Sequence, residues 1–556
     1  MTYLRRRSRA EPGRPGGGTF AGGQVHGPDR RSVLRAAGVG GLGLAGLVLA
    51  GGTLAGCQDG ATRPRPSGSP DPAAWAAFEK RLAGPLVRPG NPGYPAASRL
   101  FDPAFDDIHP AAVARAQSPA DVAACIDFAR QQGLPIAARA GGHSYGGYSS
   151  TTGLVVDVTA MATVTPGADG TARIGAGALL VDVYDQLGRA GRALPAGSCP
   201  TVGIAGLALG GGIGVLGRRH GLTCDRMLSA DVVLASGELV HTDARHEPDL
   251  FWALRGGGGG NLGIVTSFGF ATHAATPLVL FTCHWPWAAA ADVLTAWQRW
   301  ISDPGGAPDT LWSTCVASST PNGGVGGTPA LRLSGVSCAA ADDAGLAAVH
   351  AQLATLADAA GHQPTSTTVT PRDHRRAMLI EAGCAGLEVA ACHLRDRAPG
   401  GTLPRVAQRA ASAFLTEPLS ARGVSTLLGA IEQRQRTAGV RSGAVILDSW
   451  GGEINRVAPT DTAFVHRSAI ASAQYVAGYE ITDPPAAKNA NQRWLRSTVA
   501  AMAPFVSSSA YQNYIDPERA DWAQAYYGDN LGRLRQAKRT YDPNNLFRFA
   551  QGLTPA

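Results

Sequence analysis

The sequence predicts an α+β protein of two domains, on three observations. Up to about residue 272, short strands and short helices alternate tightly, punctuated by glycine. From about 275 to 500, strand-like runs alternate with longer helical runs, the pattern of an antiparallel sheet covered by helices on one face. The last fifty residues turn aromatic and polar again, with Tyr511, Tyr514, Trp522, Tyr526, Tyr527 and Tyr541. The chain has 556 residues, 44% of them hydrophobic and 16% charged, which excludes a disordered polyelectrolyte and supplies a large core. The 72 glycines follow no triplet period, so a collagen-like fibre is excluded.

The net charge of +7 is concentrated at the N-terminus. Residues 1–56 hold eight arginines against Glu11 and Asp29, leaving the other 500 residues almost neutral. A nucleic-acid binder keeps its basic excess in the folded part, so that class is excluded. Asp29-Arg30-Arg31-Ser32-Val33-Leu34-Arg35 precedes an uncharged stretch, Ala36–Gly56, in which eight of 21 residues are glycine. That is too glycine-rich for a stable spanning helix. A paired arginine before a weakly apolar segment resembles a twin-arginine export signal. Leu54-Ala55-Gly56-Cys57 resembles a lipobox, which implies that Cys57 is the lipidated first residue of a chain held at the outer face of the membrane. The simpler alternative is secretion with a chance cysteine. Residues 57–74 read as a disordered tether, rich in proline and without apolar periodicity.

The expected elements follow in order. Residues 75–82 form a short amphipathic helix. Ser118-Pro119-Ala120-Asp121 opens a helix through Arg130, with a serine cap and proline at the first position. Strands are expected at 135–139, 154–158 and 172–176, and a helix at 180–188. In the second region, strands fall at 278–285, 311–318, 330–338, 443–449 and 471–479. Helices fall at 288–301, 341–358, 426–437 and 486–501, and residues 321–329 make a hairpin-like loop. The domains are then 75–272, 273–504, and a segment 505–556 that returns to complete the first. No internal repeat is present. Of the eight cysteines after Cys57, Cys384 and Cys392 are a conceivable local disulfide pair. The absence of CxxC and HExxH patterns leaves a zinc site without support.

Two glycine-rich segments carry the chemistry. Arg139-Ala140-Gly141-Gly142-His143-Ser144-Tyr145-Gly146-Gly147 follows a strand, and successive glycines let backbone N–H groups converge on an anion, most often phosphate. A histidine inside such a loop is unusual, although a loop histidine bonding nearby backbone is the ordinary alternative. Gly197-Ser198-Cys199-Pro200-Thr201-Val202-Gly203 runs through Gly206 to Gly210-Gly211-Gly212-Ile213-Gly214, small enough for a flat rigid group to lie against backbone. Residues 212–217 also satisfy GxGxxG. A dinucleotide fingerprint needs a preceding strand, so this match is accidental.

Taken together, ARAGGHSYGG, GSCPTVGIAGLALGGGIG, Asn261-Leu262-Gly263-Ile264-Val265-Thr266, Tyr511-Gln512-Asn513-Tyr514 and Tyr541-Asp542-Pro543-Asn544-Asn545-Leu546-Phe547 resemble the berberine-bridge-enzyme-like flavoproteins of the vanillyl-alcohol-oxidase/p-cresol-methylhydroxylase superfamily. The resemblance spans roughly residues 95–556. It implies an FAD-binding domain plus a substrate domain, with FAD bonded at two points: His143 to the 8α-methyl carbon and Cys199 to C6. Imidazole and thiolate are suitable nucleophiles for an electron-poor ring. The resemblance further implies that Arg139, Gly141, Gly142, Ser144 and Tyr145 hold the pyrophosphate region and that Gly203, Gly206 and Gly210 pass close to the cofactor. Val265 then meets the adenine side, and Asn513 reaches the flavin from the C-terminal segment. Each glycine is alternatively a turn or packing residue.

Val202 matches a position facing the flavin edge where oxygen reacts, and valine there implies an oxidase; a packing valine is the alternative. Tyr511 matches a tyrosine facing the substrate, a candidate base for the hydroxyl proton, or else an aromatic wall. A free tyrosine titrates near ~10, so a positive charge or hydrogen bonds to the phenolate must lower it. Gln474 stands where relatives carry Glu or Gln and is expected to orient Tyr511. Ile213 departs from the second tyrosine that many relatives carry after the three glycines. The expected activity is oxidation of an alcohol on a sugar, oligosaccharide or natural product, with O2 reduced to H2O2 and no protein partner evident. The alternatives are a flavin dehydrogenase or oxidative cyclase of secondary metabolism, and a binding lipoprotein that has lost catalysis.

Overall fold

The computed structural model describes residues 70–320 and 327–556. The signal expected over 1–56, Cys57, the tether up to residue 69 and residues 321–326 of the expected loop lie outside the described residues. The tether ends sooner than expected: Asp71 caps a helix over Pro72–Glu79, its carboxylate accepting from the Ala74 amide at 2.6 Å, and Trp75 and Phe78 are buried.

The first half is built on two sheets sharing one core. Ala112–Arg115, Leu154–Asp157 and Ile136–Arg139 are parallel neighbours, and Leu86–Val87 adds an antiparallel edge. Parallel pairing needs a crossover, which the helix Pro119–Gln132 supplies. That helix starts where the Ser118 hydroxyl caps the Asp121 amide at 3.2 Å, and it ends on Gly133 at φ 65°. The second sheet is antiparallel, in the order Val164–Pro166, Thr171–Gly175, Ile264–Ala271, Met227–Val233, Leu239–Asp243. Ile174, Val232, Phe268 and Phe270 from this sheet meet Val122, Ile126, Leu154 and Val156 from the other layer in a continuous core.

The second half contains a seven-stranded antiparallel sheet in the order Ser366–Arg372, Leu278–Trp285, Ala330–Ser337, Leu311–Ser318, Gly443–Ser449, Ala471–Tyr479, Ala407–Leu415. Four helices cover one face: Ala290–Ser302, Asp343–Ala360, Ala421–Arg436 and Pro485–Met502. Their apolar stripes (Val293, Trp297, Leu353, Leu356, Leu427, Ile431, Leu495) bury against Phe281, Leu333, Val445 and Tyr475. The five expected strands are present, and two more were not anticipated. Ser366–Arg372 is a polar edge strand with little apolar patterning, and Ala407–Leu415 is alanine-rich, a composition that favours helix. The helix expected from 426 begins at Ala421, because Ser420 caps it through the Gly423 amide.

The boundary expected at 272 is crossed by two features. His273–Ala274 pairs back onto Arg192–Ala193. The helix His374–Glu381 also buries Ala377 and Met378 in the first core. Cys384 and Cys392 form a disulfide, with Cα atoms 6.0 Å apart, just beyond that helix.

Three histidines meet at this junction. The His273 ring stacks on His220 at 3.6 Å and meets His374 edge-on at 6.1 Å. Burial pushes His220 down to about 3 and His273 to about 4, and lowers His374. Arg192, Arg219 and Arg226 face the pair and disfavour its charged form further. Unfolded imidazoles take up protons near ~6.5, before the buried ones do. The stability these groups contribute is therefore complete above about pH 6.5 and is lost as pH falls toward 4. The melting temperature is expected to drop across that window. His220→Gln should shallow the drop, and an identical acid slope in the variant refutes the assignment.

Candidate functional site

A cleft of about 480 Å3 runs between the glycine-rich layer and the uncovered face of the seven-stranded sheet. The loop after strand Ile136–Arg139 supplies Gly141, Gly142, His143, Ser144 and Tyr145 to it, the loop before helix Ile204–Leu209 supplies Cys199, Val202 and Gly203, and the helix itself supplies Gly206. Asn261 and Val265 line one end. The C-terminal segment contributes Tyr511, Gln512, Asn513 and Tyr514, and the sheet contributes Gln408, Ile446, Gln474 and Val476. The ordered sequence motifs thus converge on one wall-to-wall cavity, as a ligand site requires.

The two glycine-rich loops interlock. A Cβ on Gly141 falls 2.4 Å from the Gly203 nitrogen and 2.6 Å from the Thr201 carbonyl, and one on Gly203 falls 2.4 Å from the Gly141 nitrogen. Only paired glycines allow this approach. Gly141→Ala is expected to cost about 1–3 kcal/mol through forced backbone shifts, read as a lower urea midpoint at unchanged slope. Gly142 turns the chain into His143 at φ +72°.

His143 and Cys199 both reach the cleft. The imidazole Nε2 lies 2.9 Å from the Thr201 hydroxyl, and its ring stacks on Phe101 at 3.9 Å. Cys199 is exposed, whereas Cys125, Cys224, Cys283 and Cys315 are buried. The turn that holds Cys199 is closed by the Val202 amide donating to the Cys199 carbonyl at 3.3 Å. Val202 is half-buried and lines the cavity beside it.

Tyr511 is buried among Phe464, Trp450 and Ile213 and is one of the residues lining the cleft. That oxygen accepts from the Gly212 amide at 2.9 Å, the Ile213 amide at 3.2 Å and Asn513 Nδ2 at 3.0 Å. Burial pushes the phenol up to about 12, and these three donors pull the other way. Gln474 does not orient Tyr511. Its amide instead donates to the Tyr145 hydroxyl at 3.0 Å, because Tyr145 leaves the phosphate-type loop to pack on Ile446, Val476 and Ala410 of the sheet. Tyr145 therefore stands on the sheet side of the cleft, stacked with Tyr514 at 5.8 Å.

Two further expectations change. Arg139 is a buried strut: Nε and Nη2 bind Asp157 at 3.1 and 2.8 Å, and Nη2 also reaches the Ala97 carbonyl. Only its Nη1 lacks a hydrogen-bond partner among the described residues. Gly210 does not line the cleft, since a Cβ there would strike Asn513 Oδ1 at 2.1 Å; it is small so that Asn513 can pack. Residues 212–217 follow the helix Ile204–Leu209 rather than a strand, so they form no dinucleotide fingerprint.

Phe101, Thr201 and Gln408 escaped the sequence reading, as did the buried Lys538–Asp542 pair. Lys538 Nζ donates to Asp542 at 2.6 Å, to the Asn261 carbonyl at 2.7 Å and to the Phe547 carbonyl at 2.6 Å. It ties the C-terminal YDPNNLF segment to the start of the NLGIVT segment. The i,i+4 spacing of Lys538 and Asp542 is the one signal that could have revealed it.

The cleft fits a flat cofactor with a phosphate tail. Interlocked backbone leaves no side chain along its floor at Gly141 and Gly203, and a Cβ on Gly206 would meet nothing within 4 Å. Buried Arg139 Nη1 and Gln512 Oε1 are a donor and an acceptor without partners among the described residues. The His143 imidazole and the accessible Cys199 thiol belong to the same lining.

Family models match in two places: an FAD binding domain over residues 110–243, and the berberine and berberine-like segment over residues 510–554. An uncharacterized FAD-linked oxidoreductase, YgaK, of Bacillus subtilis is 32% identical over 484 residues, covering 85% of this chain and 98% of the relative. Chitooligosaccharide oxidase of Gibberella zeae is 31% identical over 459 residues, covering 81% of this chain and 88% of the relative. The solved BBE-like 1 of Physcomitrella patens superposes with a TM-score of 0.76 at 27% identity, covering 87% of this chain and 99% of that one.

Proposed function

The chain belongs to the berberine-bridge-enzyme-like FAD-linked oxidoreductases, and from that premise we propose that it is an oxidase acting on an alcohol carbon of a carbohydrate or natural product, with O2 reduced to H2O2 and FAD tethered through His143 and Cys199. The observation that carries the proposal is that His143, an exposed Cys199 and Tyr511 line a single cleft. When bound, FAD supplies the two-electron acceptor that side chains lack, so that CH–OH becomes C=O with loss of two electrons and two protons, which O2 takes up as H2O2. Forming each tether exchanges an N–H or S–H and a C–H for one N–C or S–C bond. It releases two protons and two electrons, again to O2.

In this reading Tyr511 takes the hydroxyl proton. Asn513 and the amides of Gly212 and Ile213 stabilise the charge that develops on its oxygen. Gln474, through Tyr145, shapes the sheet side of the cleft. Gln408 adds a second amide to the cleft lining, which also includes the apolar Ile446 and Val476. Amide groups beside aromatic rings suit a hydroxyl-rich ligand, which is why the kinship with a chitooligosaccharide oxidase favours saccharides. Val202 beside the Cys199 turn leaves room at the edge expected to meet oxygen. Val202→Leu is therefore expected to slow reoxidation by O2 while leaving anaerobic reduction by substrate unchanged, and stopped-flow measurement of the two half-reactions separates them. The proposal also includes export through the twin-arginine segment and anchoring at Cys57. It expects Cys57→Ser to move the protein from the membrane fraction to the medium or periplasm.

The deciding experiment is acid precipitation followed by peptide mass spectrometry and a peroxide assay over a panel of oligosaccharides. A yellow pellet, both peptides heavier by flavin, and peroxide with a saccharide support the reading. A colourless pellet with unmodified His143 and Cys199 removes the tethers. Turnover only with an artificial acceptor removes the oxidase.

A further inference from the structure

The turn that presents Cys199 to the cleft also contacts His143, through Thr201. Residues 199–202 are pinned to the start of the helix Leu180–Arg189: the Leu180 amide donates to the Val202 carbonyl at 3.0 Å, and the Val181 amide to the Pro200 carbonyl at 3.1 Å. Leu179 bridges Gly203. The helix start therefore fixes Thr201 as firmly as it fixes Cys199. Thr201 is 3% exposed and stands behind the cleft wall, so it is not a group that meets substrate. Its hydroxyl lies 2.9 Å from His143 Nε2. Phe101, whose amide donates to the Gly142 carbonyl at 3.1 Å, lays its ring on the imidazole at 3.9 Å and 18°. The imidazole is thus held at one edge by Thr201 and on one face by Phe101.

The two ring nitrogens of histidine are chemically distinct, and the partner of one decides the role of the other. When the Thr201 oxygen accepts the Nε2 proton, the lone pair rests on Nδ1, and the ring cannot rotate without breaking the Thr201 bond and the Phe101 stack. We propose that Thr201 is a positioning residue for the His143 tether, acting through Nε2 so that Nδ1 forms the bond, with Phe101 restricting the ring's rotation. A single turn then governs both attachments: Cys199 by its own sulfur, and Thr201 by aiming the histidine on the facing loop. This inference rests on the two-tether reading above, and the test separates the two.

Holoproteins of wild type, Thr201→Val, Thr201→Ser and Phe101→Leu are purified at matched short times after induction. The flavin-bearing fractions of the His143 and Cys199 peptides are then measured by mass spectrometry. The Cys199 peptide serves as the internal reference. The His143 fraction in Thr201→Val is expected to accumulate about tenfold more slowly, the upper end of what one hydrogen bond supplies, while the Cys199 fraction is unchanged. Thr201→Ser keeps the hydroxyl and should recover the wild-type rate, and Phe101→Leu should fall between the two. Wild-type accumulation in Thr201→Val overturns the inference. So does a parallel fall in both peptides, which marks Thr201 as merely structural. Should Thr201→Val not accumulate as folded protein, Thr201→Ala is read by the same ratio. An unmodified His143 peptide in the wild type defeats the tether reading itself and is distinct from either result.

Discussion

Tyr511→Phe is expected to slow anaerobic reduction of the cofactor by about 10²–10⁴-fold, the range a positioned proton acceptor contributes, while leaving the visible spectrum of the oxidised protein unchanged. The phenyl ring keeps the packing against Phe464, Trp450 and Tyr514, whose ring centroids lie 6.0, 6.4 and 4.9 Å away. What is lost is the oxygen on which Gly212, Ile213 and Asn513 converge. The pH dependence gives an independent check. Burial holds the phenol up at about 12, so the deprotonated, proton-accepting form is scarce at neutral pH. Its fraction rises about tenfold per pH unit below that value. The wild-type reduction rate should therefore climb with pH through the neutral and alkaline range, and the rate of the Phe variant should stay flat. A fast, pH-independent reduction in Tyr511→Phe assigns the proton to another acceptor and reduces Tyr511 to an aromatic wall. Asn513→Ala offers a graded version, since it removes one of three donors and leaves the phenol in place.

The parts of this site legible in the sequence are those whose role is written in local backbone. Gly141, Gly142 and Gly203 declare a close approach, and the structure interlocks them within 2.4 Å. Ser118 before Pro119 marks a helix start because the cap is a three-residue interaction. Contacts set by sheet register were not legible. The partnership of Gln474 with Tyr145, rather than with Tyr511, depends on the pairing of Gln474 with Ile446 and Ser412 in neighbouring strands, and on a tyrosine 329 residues away. Arg139 reads as a phosphate ligand by its place before the glycines. Its guanidinium instead answers Asp157, the residue opposite it in the parallel pair. The edge strands Ser366–Arg372 and Ala407–Leu415 carry compositions that conceal strands, and only their paired neighbours call for them. The NLGIVT and YDPNNLF motifs were recognisable as strings, but the lysine that joins them was not.

That lysine supports the second large prediction. Lys538→Met should cost about 3–5 kcal/mol of stability, a third or more of what a domain usually possesses, because it strands a carboxylate that is fully buried. Lys538 and Asp542 are both 0% exposed. Burial lowers the lysine's affinity for its proton, and Asp542 beside it acts to keep the charge. Asp542 in turn accepts from the Leu546 and Phe547 amides at 2.8 and 2.9 Å, folding the Asp-Pro-Asn-Asn turn onto itself. The same ammonium holds the Asn261 and Phe547 carbonyls, and Asn261 Oδ1 accepts from the Leu553 amide at 2.9 Å. Removing the cation frees the C-terminal segment that carries Phe547, Phe549 and Gln551 into the cleft, so the variant should also take up cofactor less completely, read as a lower flavin-to-protein ratio in the purified protein. The double variant Lys538→Met, Asp542→Leu separates charge from packing: it removes the stranded carboxylate and should recover part of the loss, measured as urea midpoints of the holoprotein. A single variant within 1 kcal/mol of wild type in that measurement means that water or another cation already neutralises Asp542, and the C-terminal segment is then held by its aromatic packing alone.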